Sequence, residues 1–197
     1  MSYPAVFELI GIAGAVVGTI ALIPYYSALL KGKAKPNSAA FLIFGILASI
    51  SFFGQLAAGA DASLWFAFVL MVNPFIIFAL SLKTGLKTFA FKDKLSLMLA
   101  VLILVVWIFS RSAAIALVLV VLVNTIGKYL VAEKAYHYPH GDVAIAWVLS
   151  ALASILAAIS VGRFDWLLLL APVQNAITVS VIAFIIIYRK RVVPIAD

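Results

Sequence analysis

Charge and cysteine are scarce in this sequence. Only 11% of the residues are charged and none is cysteine, whereas 66% are hydrophobic. Soluble domains are about half apolar and about a quarter charged, so we exclude both a soluble globular enzyme and a disordered chain. Without cysteine the chain has no disulfide framework and no thiolate for catalysis or zinc binding. The solvent expected for most of the chain is therefore a lipid bilayer.

Long apolar runs occupy nearly the whole sequence. A membrane-spanning helix needs about 20 mainly apolar residues, and seven such runs follow one another, at 7–30, 38–59, 62–83, 94–110, 112–132, 142–161 and 166–188. The runs are continuously apolar rather than alternating, which excludes barrel strands. The shortest break falls at Arg111, where we expect a very short turn. The sequence predicts a single all-α integral membrane domain over 1–197.

Lysine and arginine fall mostly on one side of this seven-span arrangement. Twelve of the fourteen basic residues lie on one side, and only Arg111 and Arg163 lie on the other. Because short cytoplasmic loops carry the excess of positive charge, we expect an outside amino terminus and a cytoplasmic carboxyl terminus. Topology thus explains the formal charge of +7, and we expect no nucleic-acid partner. The absence of targeting or retention signals favours a bacterial inner (plasma) membrane, with a eukaryotic organelle as the alternative.

The two halves of the sequence match each other. Most of the matches share an offset of 103 residues, and one near the end has an offset of 102. The matched pairs are Pro36 and Pro139, Tyr26 and Tyr129, Phe44 opposite Trp147, Ser51 and Ser154, Gly59 and Gly162, and Asn73 and Asn175. Parallel repeats of this kind occur in transporters. We therefore predict a first three-helix repeat over 7–83, a linker helix over 94–110 and a second repeat over 112–188.

With this layout the chain resembles the SWEET and PQ-loop superfamily of seven-helix transporters. The segments that carry the resemblance are Pro24-Tyr25-Tyr26 and Gly32-Lys33-Ala34-Lys35-Pro36-Asn37, together with the mid-span asparagines of the third and seventh runs. The Pro-Gln dipeptide of that family is absent, since Tyr25 follows Pro24, and Gly127 stands at the position of Pro24 in the second repeat. The resemblance implies facilitated movement of sugars or similar small polar solutes by alternating access around a central site.

Amide side chains lie near the centres of three runs, at Asn73, Asn124 and Asn175. Polar groups are costly in hydrocarbon, and an amide offers both donors and an acceptor to a polyhydroxyl solute. We predict that these residues bind substrate, and that Phe44 and Trp147 stack on it or close the site. The alternatives are that the amides only link helices and that the aromatic rings are ordinary core or lipid-facing side chains.

Prolines and tyrosines supply the predicted hinges and gate. Pro74 adjoins Asn73, and Pro172 lies close to Asn175; together with Pro24 they bend or weaken their helices. Static kinks are the alternative, because membrane helices tolerate them. Tyr25 and Tyr26 are predicted to form an inner gate, with anchoring at the membrane interface as the alternative.

We expect no charged side chain at the depth of these amides. All seven acidic residues fall at run ends or in loops, whereas a proton-coupled carrier has a buried carboxylate. The sequence therefore predicts uniport of a small neutral polar solute, with a sugar as the favoured candidate. We expect no enzymatic activity, cofactor or metal. Two alternatives stay open: a proton-coupled exporter that depends on Glu8 or Asp142, and a membrane receptor or trafficking protein of the same fold. The sequence also leaves open whether copies of the chain associate.

Overall fold

The structure, a computed structural model, describes residues 5–31, 38–84, 91–137, 139 and 143–192. Seven helices and no strand occupy these ranges: α1 (Ala5–Leu30), α2 (Ser38–Ala57), α3 (Leu64–Thr84), α4 (Phe91–Ser110), α5 (Ala113–His137), α6 (Ala144–Ser160) and α7 (Trp166–Val192). Each helix coincides with one of the predicted apolar runs, and the break predicted at Arg111 is confirmed. The Gly32–Asn37 segment of the family resemblance, His140 and Asp142 lie outside the described residues.

Four of the described helices are long and apolar enough to cross a membrane. Their apolar spans are Ala5–Ser27, Leu64–Leu82, Ala113–His137 and Trp166–Val192, with mean hydropathies between 2.1 and 2.3. The other three helices contribute shorter apolar stretches, at Phe41–Ala57, Leu97–Ser110 and Ala144–Ser160. The all-α character predicted from the sequence is therefore confirmed, and long apolar helices of this kind are compatible with an integral membrane protein.

Large apolar side chains are exposed along the outer surface of the described helices. One exposed stripe along α1 consists of Val6, Leu9, Ile12, Val16, Ile20 and Ile23. These residues recur every three or four positions, so they lie on one side of the helix. In water such a surface would drive association, whereas in a bilayer it faces hydrocarbon while the helix satisfies its own backbone.

The contacts of α3 and α7 provide a way to name the helices. We call α1–α3 the first group, in which α3 contacts both α1 and α2, and α5–α7 the second group, in which α7 contacts both α5 and α6; the most extensive contact of all joins α1 to α6. The groups meet along α1 and α6 on one side and along α2 and α5 on the other. On this second side, α4 contacts both α2 and α5, and its Ile103 joins a buried cluster with Leu47 of α2 and Val120 of α5.

Small residues let α1 approach its neighbours closely. A Cβ atom on Gly14 would lie 3.2 Å from the carbonyl oxygen of Ala153 in α6, and one on Gly11 would lie 2.1 Å from the carbonyl oxygen of Ala62. Ala153 and Ala157 are buried there against Phe66. Close approach of backbones through small residues is a common means of helix association in membranes.

Two similar turns close one end of the bundle, which we call the turn end (residues 58–63 and 161–165). Gly59 and Gly162, which follow α2 and α6, both adopt the left-handed backbone region, with φ of 79° and 66°. The Arg163 guanidinium donates to the Gly59 carbonyl oxygen at 3.3 Å, which links the two turns. Asp165 caps α7 by accepting from the Leu167 amide at 3.1 Å. Each group is therefore closed at this end by the same device.

Candidate functional site

A cavity of about 280 Å³ lies between the two groups of helices. Its wall is formed by α2, α3, α5, α6 and α7, together with Ser63 of the α2–α3 turn. Its volume is near the lower end for ligand pockets, about 300–1,000 Å³, so it suits a small solute. Six of the residues singled out from the sequence lie on its wall: Phe44, Pro74, Asn124, Trp147, Pro172 and Asn175.

Lys128 lies on the same wall, among the amides. The sequence interpretation counted Lys128, near the end of the fifth run at 112–132, among the twelve basic residues of the cytoplasmic side. In the structure α5 continues to His137 and holds Lys128 well inside the helix. The expectation that no charged side chain lies at the depth of the amides is therefore wrong for Lys128. The signal that was available is the stretch after it, Tyr129 to Ala132, which extends the apolar pattern by a further turn.

Lys128 begins a hydrogen-bonded network that joins α5, α6 and α7. Its ammonium donates to the side-chain oxygen of Asn175, and it lies 3.5 Å from that of Gln174. The Asn175 amide nitrogen donates to the Ser154 hydroxyl at 2.6 Å, and the Gln174 amide nitrogen donates to the Thr125 hydroxyl at 2.9 Å. Both of these α7 amides therefore turn the oxygen toward the cation and the nitrogen toward a hydroxyl.

The first group of helices makes a corresponding contact with different chemistry. The Tyr26 hydroxyl of α1 donates to the side-chain oxygen of Asn73 in α3. Both this pair and the pair of Lys128 and Asn175 are separated by 47 residues. Asn73 is not among the described residues of the cavity wall. Its predicted contact with a solute stays a prediction.

These contacts do not follow the predicted alignment of the two halves. The sequence paired Tyr26 with Tyr129, but the side chain that occupies the equivalent position in the second group is Lys128. Tyr129 is 67% exposed, because one residue turns a side chain about 100° around a helix of 3.6 residues per turn. Tyr129 thus does not make the contact with Asn175 that Tyr26 makes with Asn73.

Aromatic rings lie at the cavity wall on α2 and α6. The Phe44 ring meets Phe41 edge-on, with centroids 6.0 Å apart, and Phe41 lies 5.9 Å from Tyr25 of α1. Trp147 lines the cavity and packs on a buried cluster that includes Ile182 of α7. The two predicted stacking residues thus reach the same cavity from different groups of helices.

A second polar region lies on the wall toward the turn end. The Gln55 amide nitrogen donates to the Ser51 hydroxyl at 3.2 Å. Ser63 is 3% exposed, and among the described residues its hydroxyl has no hydrogen-bond partner. A buried polar group without a partner is unfavourable, and Ser63 lies on the cavity wall, so a partner supplied from the cavity would stabilise this hydroxyl. The cavity thus has a cationic region at Lys128 and a neutral polar region at Gln55 and Ser63.

The predicted hinge prolines all lie inside helices, with Pro24 in α1, Pro74 in α3 and Pro172 in α7. Pro74 and Pro172 line the cavity, and Pro24 immediately precedes the two tyrosines at the end of α1. Their place beside the wall is consistent with hinges, and that role stays a prediction.

Of the two acidic residues considered for proton coupling, Glu8 is the one that the structure describes. It is exposed on the first turns of α1, and it is not among the described residues of the cavity wall. Within the described ranges, no three His, Cys, Asp or Glu side chains lie close enough to hold a metal ion.

No protein-family model, curated protein or solved structure matches this chain. The cavity, the hydrogen bonds of its wall and the packing of its helices are therefore the basis on which a function is inferred.

Proposed function

We propose that this protein is a facilitative carrier that moves a small polar solute across a membrane by alternating access around the central cavity. The observation that carries the proposal is a small cavity with hydrogen-bonding walls between two groups of membrane-type helices. Sites for transported solutes lie at such interfaces between repeats. A cavity of about 280 Å³ is too small for a folded peptide, which argues against the receptor alternative.

We further propose that the two groups are parallel repeats, 7–83 and 112–188, joined by α4 as a linker in a 3+1+3 arrangement. Three observations support this: α3 and α7 hold the same place in their groups, Gly59 and Gly162 close equivalent turns, and the contacts of Asn73 and Asn175 have the same residue separation. These features favour membership of the SWEET and PQ-loop superfamily, whose fold alone does not fix the solute.

The orientation we propose has the turn end outside and the opposite end in the cytoplasm of a bacterium. It rests on the positive-inside rule. Moving Lys128 from the loops into the bundle leaves eleven basic residues on the cytoplasmic side, against Arg111 and Arg163 on the other.

In the transport cycle we propose, Asn124 and Asn175 hydrogen-bond the solute while Phe44 and Trp147 enclose it. Tyr26, whose hydroxyl donates to Asn73 outside the cavity wall, belongs to a gate at the end of α1. The hinge prolines let the two groups change their relative angle, as described above. No other titratable side chain of the described cavity wall accompanies Lys128, which favours uniport over proton coupling.

The chain offers a direct test of access, because it contains no cysteine. Asn124→Cys places a thiol on the cavity wall, and Ile177→Cys places one on the exposed, lipid-facing side of α7. We expect membrane-impermeant thiol reagents to label Asn124→Cys from both sides of proteoliposomes, and Ile177→Cys from neither side. Labelling of Asn124→Cys from one side only would contradict alternating access.

Flux measurements test the site itself. In proteoliposomes loaded with labelled solutes, we expect Asn175→Ala to lower flux more strongly than Asn73→Ala, because Asn175 lies on the wall and Asn73 does not. Ser180→Ala is the matched control, since it removes an exposed polar group from the same helix. Saturable flux that is unchanged in Asn175→Ala would remove this cavity as the transport site, and absence of flux for every solute would overturn the carrier.

A further inference from the structure

The charge of Lys128 has no acidic partner in the cavity. Of the described residues that line the cavity, none is Asp or Glu, so the cation meets only the amide oxygens of Gln174 and Asn175. An ammonium carries three donors, so one remains for a ligand. A cation kept from water is strongly unfavourable unless an anion accompanies it, and the wall does not supply that anion.

We propose that the transported solute is a small hydroxy acid, whose carboxylate pairs with Lys128 and whose hydroxyl groups meet the neutral polar region at Gln55 and Ser63. This inference rests on the proposed carrier function and names its solute class. It also replaces the neutral sugar expected from the sequence, because that expectation depended on the absence of charge at this depth.

The neutral region fits hydroxyl groups rather than a second charged group. A hydroxyl can both donate and accept, which matches the hydroxyl of Ser63 and the amide of Gln55. The ammonium of an amino acid would need a carboxylate on the wall, and the described wall has none. A phosphate would bring a second negative charge, and Lys128 is the one basic side chain of that wall. A hydroxy monocarboxylate therefore balances the charge of the site.

The cavity volume sets the size of this acid. About 280 Å³ accommodates a solute of a few carbon atoms up to a hexose-sized acid. Phe44 and Trp147 provide apolar surfaces for its carbon chain. Asn124 lies on the same wall of α5, about one helical turn from Lys128 toward the turn end. It offers a further amide to a hydroxyl of the solute.

Transport of such a solute moves charge. Lys128 stays in the protein, so uniport of one monocarboxylate carries one negative charge across the membrane. Flux must therefore respond to the membrane potential, whereas uniport of a neutral sugar does not.

The first experiment measures binding, independently of transport. Purified protein in detergent is titrated with matched acid and alcohol pairs, namely glycerate with glycerol and gluconate with glucitol, and the melting temperature is followed. We expect the acid of at least one pair to stabilise the protein and its alcohol to have no effect. Lys128→Met and Lys128→Gln should weaken binding by at least about 30-fold, the lower end for removing one partner of a buried charge pair. Lys128→Arg should retain most of it.

Lys94→Met is the matched control, because it removes an exposed lysine outside the cavity; its affinity should equal that of the wild type. Two neutral replacements of different polarity guard against a folding defect in either one. Equal binding of acid and alcohol, or unchanged affinity in both neutral variants, would overturn the inference. So would preferential binding of inorganic phosphate or of neutral amino acids included in the same titration.

The second experiment measures flux of the bound acid in proteoliposomes with a potassium diffusion potential. We expect an inside-negative potential to slow entry and to speed exit. Binding of the acid without flux would overturn the carrier and leave the acid site standing. Flux of the neutral alcohol, unaffected by potential, would leave the carrier standing and overturn the acid site.

Discussion

The ammonium of Lys128 on α5 donates a hydrogen bond to the side-chain oxygen of Asn175 on α7. In the first group of helices the equivalent donor is the hydroxyl of Tyr26, and its acceptor is Asn73. The two groups therefore share a contact but not its chemistry. The contact of Lys128 with Asn175 places a cation on the cavity wall, whereas Asn73, which contacts Tyr26, lies outside that wall.

Loss of the Tyr26 hydroxyl should loosen the first group. Tyr26→Phe leaves the Asn73 oxygen without this donor in an apolar setting, and we expect a loss of stability of about 1 kcal/mol, as for other hydrogen bonds between membrane helices. Thermal unfolding in detergent measures this loss. Tyr188→Phe is the control, because the Tyr188 ring is exposed on α7. Equal stability of the two variants would show that the contact does not hold α1 to α3.

The close approach of α1 to the turn end should not tolerate a methyl group at Gly11. A Cβ atom there meets the Ala62 carbonyl oxygen at 2.1 Å, and backbone has to move to accommodate it. We expect Gly11→Ala to destabilise by about 1–3 kcal/mol, as in other overpacked cores. Gly127→Ala is the matched helical control, since the nearest atom, on Phe44, lies 3.8 Å away. That variant should unfold at or above the temperature of the wild type, and a similar loss in both would contradict the packing described.

At positions with a left-handed backbone, replacing glycine should lower the stability of the fold, and introducing glycine should raise it. Gly59→Ala and Gly162→Ala force a side chain into positive φ, and we expect each to destabilise by about 1 kcal/mol. Arg111, in the α4–α5 turn, already carries such a side chain, with φ of 51°. Arg111→Gly should therefore raise the melting temperature rather than lower it. A loss of stability in Arg111→Gly would contradict this prediction, because it would show that the Arg111 side chain holds the α4–α5 turn.

The helices could be predicted from the sequence because apolar length is a local property of the chain. Even the two-residue connection at Arg111 followed from length, since 94–132 exceeds one crossing. Part of the cavity wall was predictable as well, because depth along a run placed Asn124 and Asn175 at one level.

Lys128 and Tyr26 could not be placed from the sequence, since their positions depend on neighbouring helices. A lysine after a glycine resembles the end of a span, and only the amides of α7 make its place inside the bundle favourable. That Lys128 rather than Tyr129 contacts Asn175 could not be predicted for a related reason. Identity at Tyr129 was visible in the sequence, whereas rotation around the helix axis was not.

The unequal joining of the two groups has a mechanical consequence. α1 contacts α6 more extensively than α2 contacts α5, and within the described residues the main contacts of α4 are with α2 and α5. If one group rotated as a rigid body against the other, the hinge axis would thus lie along the glycine-lined contact between α1 and α6. The widest displacement would fall on the opposite side, where α4 moves with α2 and α5 or limits how far they separate.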